Sequence, residues 1–110
     1  MPRKRYDFSF VYNNRNYIIE FDGIQHFEMS PYFYSSDEIF ERRRIVDVNK
    51  TVAALNQGFF FIRISYNDED DINDIIDEII NDPNPSCRLV FSDNTMYEWL
   101  FGEITKKLTV

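Results

Sequence analysis

The sequence predicts a single α/β domain: a mixed sheet founded on a β-hairpin, then a long helix and a following strand, with a helical extension after them. Three observations carry this. Two alternating apolar runs flank an Asn-rich turn in "KRYDFSFVYNNRNYIIEFDG", a hairpin signature. From about Asp37 to Gln57, Ile45, Val48, Val52 and Leu55 recur at helical spacing, and Gly58 stops the run. "FFFIRISY", residues 59–66, is a short aromatic and β-branched run directly after that stop, the pattern of a buried strand.

A chain of 110 residues, 44% hydrophobic and 17% aromatic, has the size and the bulky side chains for one core but not two. No apolar stretch approaches the roughly 20 residues that span a bilayer, and "MPRKRYDF" has no apolar segment after its basic residues. An intracellular protein without membrane contact is therefore expected. Cys87 is the one cysteine, which excludes an intrachain disulfide and a zinc ribbon. The net charge of −7 is uneven: residues 1–65 hold nine Lys/Arg and eight Asp/Glu, residues 66–110 three and eleven. The first part can face a polyanion; the second repels one.

If Asn13 to Asn16 form the hairpin turn, Tyr12 pairs with Tyr17, Phe10 with Ile19 and Phe8 with Phe21. The opposite face then sets Asp7 across from Asp22 and diagonal to Glu20. Three carboxylates so close do not all stay ionised without a cation, and a divalent metal is the natural remedy. Gly23 lets the backbone leave the strand sharply, bringing Gln25 and His26 back over the same edge. An aromatic-rich connection, "FEMSPYFYSSDE", ends in the N-cap types Ser35, Ser36 and Asp37. After residue 66, "NDEDDINDIIDEIIND" reads as a surface helix with an acidic outer face, lacking the spacing and glycine of a calcium loop. "DPNPS" is a turn and "CRLVF" a short edge strand. "SDNTMYEWLFGEITKKL" closes the chain as an amphipathic helix capped by Ser92, with Trp99 in the core.

The order of hairpin, "EFDGIQH", long helix and "GFFFIRISY" resembles the PD-(D/E)XK nuclease superfamily, with its restriction-endonuclease-like core, and within it the very-short-patch-repair endonuclease branch. The resemblance covers residues 5–66 and leaves 67–110 as an acidic extension. It rests on Asp7 in "YDF", on Glu20, Asp22, Gly23 and His26, on Asp47 and Lys50 in "DVNK", and on Gly58 before the strand.

What the resemblance implies is a metal-dependent endonuclease acting on DNA. Asp7, Glu20 and Asp22 would be the metal ligands, and such hard oxygen donors favour Mg2+ or Mn2+ over zinc. The family's lysine two residues after the glutamate is Asp22 here, so its role of stabilising the attacking water would fall to His26, Gln25 or Lys50. His26 would also serve in proton transfer. Arg42, Arg43 and Arg44 suit phosphate contact. Arg63, inside an apolar strand, either pairs with an acid or snorkels to the surface. The family core usually begins with a helix and a further strand, whereas only six residues precede Asp7; either the acidic C-terminal part replaces the missing layer, or a second subunit, in a homodimer, covers the exposed hairpin. The alternative is a catalytically idle scaffold of the same fold that binds nucleic acid or a protein.

Overall fold

The computed structural model describes residues 6–28 and 36–108, with the exception of the Gln25 side chain. Strands β1 (Phe8–Tyr12) and β2 (Arg15–Asp22) form the hairpin, and a 3₁₀ turn, Ile24–His26, follows Gly23. Helix α1 spans Asp37–Asn56 and strand β3 Phe60–Ser65. A 3₁₀ run, Tyr66–Asp71, leads into α2 (Ile72–Ile80), then β4 (Leu89–Phe91) and α3 (Glu98–Leu108). The result is an α/β fold with a four-stranded mixed sheet in the order β1-β2-β3-β4, antiparallel at the hairpin and parallel beyond it.

The hairpin differs from expectation in register. Asn13 and Asn14 both take positive φ, 51° and 64°, so the turn is the two-residue kind that matches strand twist, and Asn is among the few residues that enter this region cheaply. Phe8 therefore pairs with Ile19, Phe10 with Tyr17 and Tyr12 with Arg15. Each partner shifts by two positions, which preserves the faces. Asp7, one residue before β1, is consequently in register with Glu20 rather than Asp22.

Alternation in β2 and β3 builds two cores. Ile18 and Phe61 face α1 and α3, where Val48, Ala54, Leu55, Tyr97, Leu100 and Ile104 complete a buried cluster. Tyr17, Ile19, Ile62 and Ile64 face the other way and are covered by Ile72, Ile76, Ile79 and Ile80 of α2. Ser36 caps α1, accepting from the Ile39 N–H at 3.2 Å, and Gly58 ends that region at φ +89°, a conformation open to glycine without strain.

Two helix expectations need correction. Ile45 is 56% exposed, because α1 turns Asp47 and Thr51 inward alongside Val48 and Leu55. The buried stripe is partly polar, and periodicity read from apolar residues misses it. Ser92 is not the cap of α3: its Oγ accepts from the Ser65 N–H at 2.9 Å, and Asp93 Oδ1 instead accepts from the Thr95 and Met96 N–H groups. Trp99 lies half-buried at the margin of the core rather than inside it.

Candidate functional site

The same alternation that points Ile18 at α1 points Glu20 and Asp22 there, and the parallel register sets Arg63 beside Glu20 and Ser65 beside Asp22. Arg63 is 1% exposed, and a guanidinium taken out of water must find partners for its protons. It finds them. Nη1 donates to both Asp22 oxygens at 3.0 Å, Nε and Nη2 donate to Thr51 Oγ1 at 3.2 and 3.0 Å, and Nη2 reaches the Asp47 carbonyl at 3.4 Å. Thr51 in turn donates to that carbonyl at 2.8 Å. The Tyr97 hydroxyl donates to Asp22 Oδ2 at 2.8 Å; burial, then the Asp22 charge, push its pKa far up, so it stays a donor. Asp22, expected as a metal ligand, thus has both oxygens taken by protein donors.

The turn after Gly23 returns His26 over this cluster, closed by the His26 N–H to Gly23 carbonyl bond at 3.0 Å. Its Nδ1 lies 2.9 Å from Asp47 Oδ2 and 3.6 Å from Asp22 Oδ1. Burial opposes the charged imidazolium, but the bond to Asp47 and the charges of Asp22 and Asp47 outweigh it and raise the His26 pKa. Burial likewise opposes the Asp47 carboxylate, but His26 and Arg63 outweigh it and lower the Asp47 pKa. The ionised Asp47 can only accept, so Nδ1 carries the proton. The Asp22 and Asp47 carboxylates are thus faced by the Arg63 guanidinium and by the His26 ring, whose protonated form they favour.

This balance fixes a pH dependence. The raised His26 pKa contributes stability fully present below its unfolded value of about 6.5 and lost as pH rises through the folded value; the Asp47 contribution is lost only on acidification below about 4. Urea unfolding of wild type and His26→Gln is expected to show the largest wild-type advantage near about pH 5.5 and a smaller one near about pH 9.

A second group lies on the hairpin side of Glu20. Asp7 is exposed and its Oδ2 accepts from the Phe21 N–H at 2.8 Å. Glu20 is 6% exposed, and its pKa is raised by burial and by the adjoining Asp7 carboxyl, against the lowering influence of Lys50. Lys50 reaches down from α1 to form an ion pair with Glu20 Oε1. That oxygen is buried, and the Lys50 ammonium is its partner. The Tyr6 hydroxyl donates to the Lys50 carbonyl at 3.3 Å, and the Lys50 ammonium lies 5.0 Å from the Tyr6 ring centroid.

The expected residues therefore divide. Asp7, Glu20 and Lys50 come together; Asp22 and His26 belong to the neighbouring Arg63 cluster; the Gln25 side chain lies outside the described residues. Of the three arginines, Arg42 is exposed and bonded to Glu38 at 2.6 Å, a surface pair of little energetic weight. Arg43 is exposed, and its charge helps to lower the Asp47 pKa. Arg44 is stacked on Phe40 and Trp99, 4.5 and 4.4 Å from their ring centroids, and so belongs to the α1–α3 packing. Sequence reasoning missed Thr51 and Tyr97 as partners of this region. Thr51 lies four residues after Asp47 on one helix face, but nothing in the sequence turns that face inward, and nothing marks Tyr97, 75 residues from Asp22.

No protein-family model, curated protein or solved structure matches this chain. Among the described residues no three His, Cys, Asp or Glu side chains form a group able to hold a metal ion, and no helix is long and apolar enough to cross a membrane. What the geometry offers is two oxygen donors and one ammonium. Mg2+ is compatible with such a set, because it keeps several waters and uses one or two carboxylates together with substrate phosphates.

Proposed function

We propose that the chain is a metal-dependent endonuclease with a restriction-endonuclease-like core, hydrolysing DNA phosphodiester bonds at Asp7, Glu20 and Lys50. The observation that carries this is the meeting of Asp7 with Glu20 across the hairpin, with an ammonium from α1 on the same carboxylate. Asp7 and Glu20 would hold Mg2+ or Mn2+. Both are hard oxygen donors.

When bound, such a cation supplies charge that offsets the negative charge growing on the phosphate and leaving oxygen. The chain's own groups do the rest. The Phe21 N–H fixes the Asp7 carboxylate, while Lys50 supplies the positive charge that the family's lysine would give and orients the attacking water. Arg43, exposed one turn before Asp47 on α1, suits the neighbouring phosphate. The Arg63 cluster holds the end of β2 and the turn after it, which makes Asp22, His26 and Asp47 positioning residues. Replacing Lys50 by methionine is expected to lower the cleavage rate about 100-fold, read from single-turnover kinetics on a labelled oligonucleotide.

One observation favours the second reading, an idle scaffold: Arg63 and Tyr97 occupy the oxygens of Asp22, which removes the third expected ligand. The test is cleavage of supercoiled plasmid and of a labelled single-stranded oligonucleotide with Mg2+ or Mn2+ against EDTA. Cleavage that needs the metal supports the nuclease; no cleavage under any metal supports the scaffold.

A further inference from the structure

On the opposite face of β2 from Lys50, a cavity of about 480 Å³ opens at the carboxyl ends of β2 and β3. Its volume is within the range of small-ligand sites, roughly 300–1,000 Å³. Phe8, Phe21 and Tyr66 line it, together with Ile64 and Ile72. Phe8 is 57% exposed and meets Phe21 edge to face, 5.6 Å between centroids.

The polar groups at its wall narrow the occupant. Asp22 is spent on Arg63 and Tyr97, and the Ser65 hydroxyl donates to Asp68 at 2.9 Å. Glu69, exposed and an acceptor when ionised, and the Tyr66 side chain, whose hydroxyl can donate or accept, remain. No lysine or arginine lines the cavity, so a phosphate has nothing to bind there. What fits is a flat, uncharged ring with apolar faces and N–H donors at its edge.

The cavity also adjoins the candidate centre. Asp7 precedes Phe8 in the chain and accepts from the N–H of Phe21, so two walls of the cavity hold the carboxylate on which the nuclease reading depends. We infer that this cavity takes an unpaired nucleobase of the strand whose phosphate lies at Asp7 and Glu20. This rests on the nuclease reading for its orientation, and it makes the substrate DNA that is single-stranded or locally unpaired rather than continuous duplex. Stacking against aromatic side chains tolerates any base and needs no charge from the protein.

The test separates this inference from the activity. Methyl NMR spectra of the full chain are recorded in metal-free buffer with a tetradeoxyadenylate and with an abasic backbone of the same length. The expected result is movement of the Ile64 and Ile72 methyls with the first probe only, and binding about ten-fold weaker in Phe8→Ala, whose exposed ring can be removed without unfolding the domain. Equal shifts from the two probes, or no shift at Ile64 and Ile72, overturn the base cavity. Absence of metal-dependent cleavage of plasmid and of a labelled single-stranded oligonucleotide alike overturns the nuclease reading and leaves this binding result standing on its own.

Discussion

Arg63→Met is expected to destabilise the domain by about 3–5 kcal/mol, the cost of leaving a buried acid without its counter-charge. With total stabilities of about 5–15 kcal/mol for domains of this kind, that is a large share of the fold. The reason is geometric. Arg63 is the centre of a buried network in which Asp22, Thr51 and the Asp47 carbonyl all depend on one guanidinium. Methionine fills much of the space but gives back no proton. Adding Asp22→Asn to Arg63→Met is expected to recover part of the loss, because the neutral amide no longer needs a cation. Urea midpoints of the single and double variants, measured side by side, decide it; equal midpoints for wild type and Arg63→Met would mean that the network carries no stability.

On the nuclease reading, Glu20→Gln is expected to lower cleavage about 1,000-fold, since loss of a carboxylate from the proposed two-ligand site would remove several kcal/mol of transition-state stabilisation. Its effect on the fold runs differently. Burial and the Asp7 carboxyl raise the Glu20 pKa against the influence of Lys50, so an amide relieves a buried charge while giving up the Lys50 ion pair. A raised carboxyl pKa contributes stability below its unfolded value, near about 4.3, and that contribution is lost as pH rises through the folded value. The glutamine variant lacks this loss. Thermal melts at acid and neutral pH are expected to show a smaller pH dependence in Glu20→Gln than in wild type, alongside the fall in activity.

How much of this was legible varies from residue to residue. The parity of the hairpin was, because apolar residues at every second position define a face whatever the turn length. The register was not: "YNNRNY" supports a four-residue turn from Asn13 to Asn16 as well as a two-residue one, and only the positive φ of Asn13 and Asn14 selects between them. That choice moved Asp7 from Asp22 to Glu20, and the candidate site with it. Ser36 as the cap of α1 and Gly58 as its stop were legible from local chemistry. The inward turn of α1 was not, since Asp47 and Thr51 are buried to serve an arginine on a strand that follows them. Arg63 could be placed with an acid but not with a particular one, and the choice of Asp22 over Glu20 depends on side-chain geometry that strand register alone leaves open.

Two carboxylates at the ends of the hairpin strands thus carry different duties. Asp7 acts at the surface, while Asp22 acts inside the fold. The measurement that separates them most directly is plasmid nicking by Asp7→Asn and Asp22→Asn in Mg2+, with the folded fraction of each determined in the same buffer. The account predicts that Asp7→Asn is folded and inactive, and that the activity of Asp22→Asn falls in step with its folded fraction. An Asp7→Asn protein that nicks as fast as wild type would contradict it.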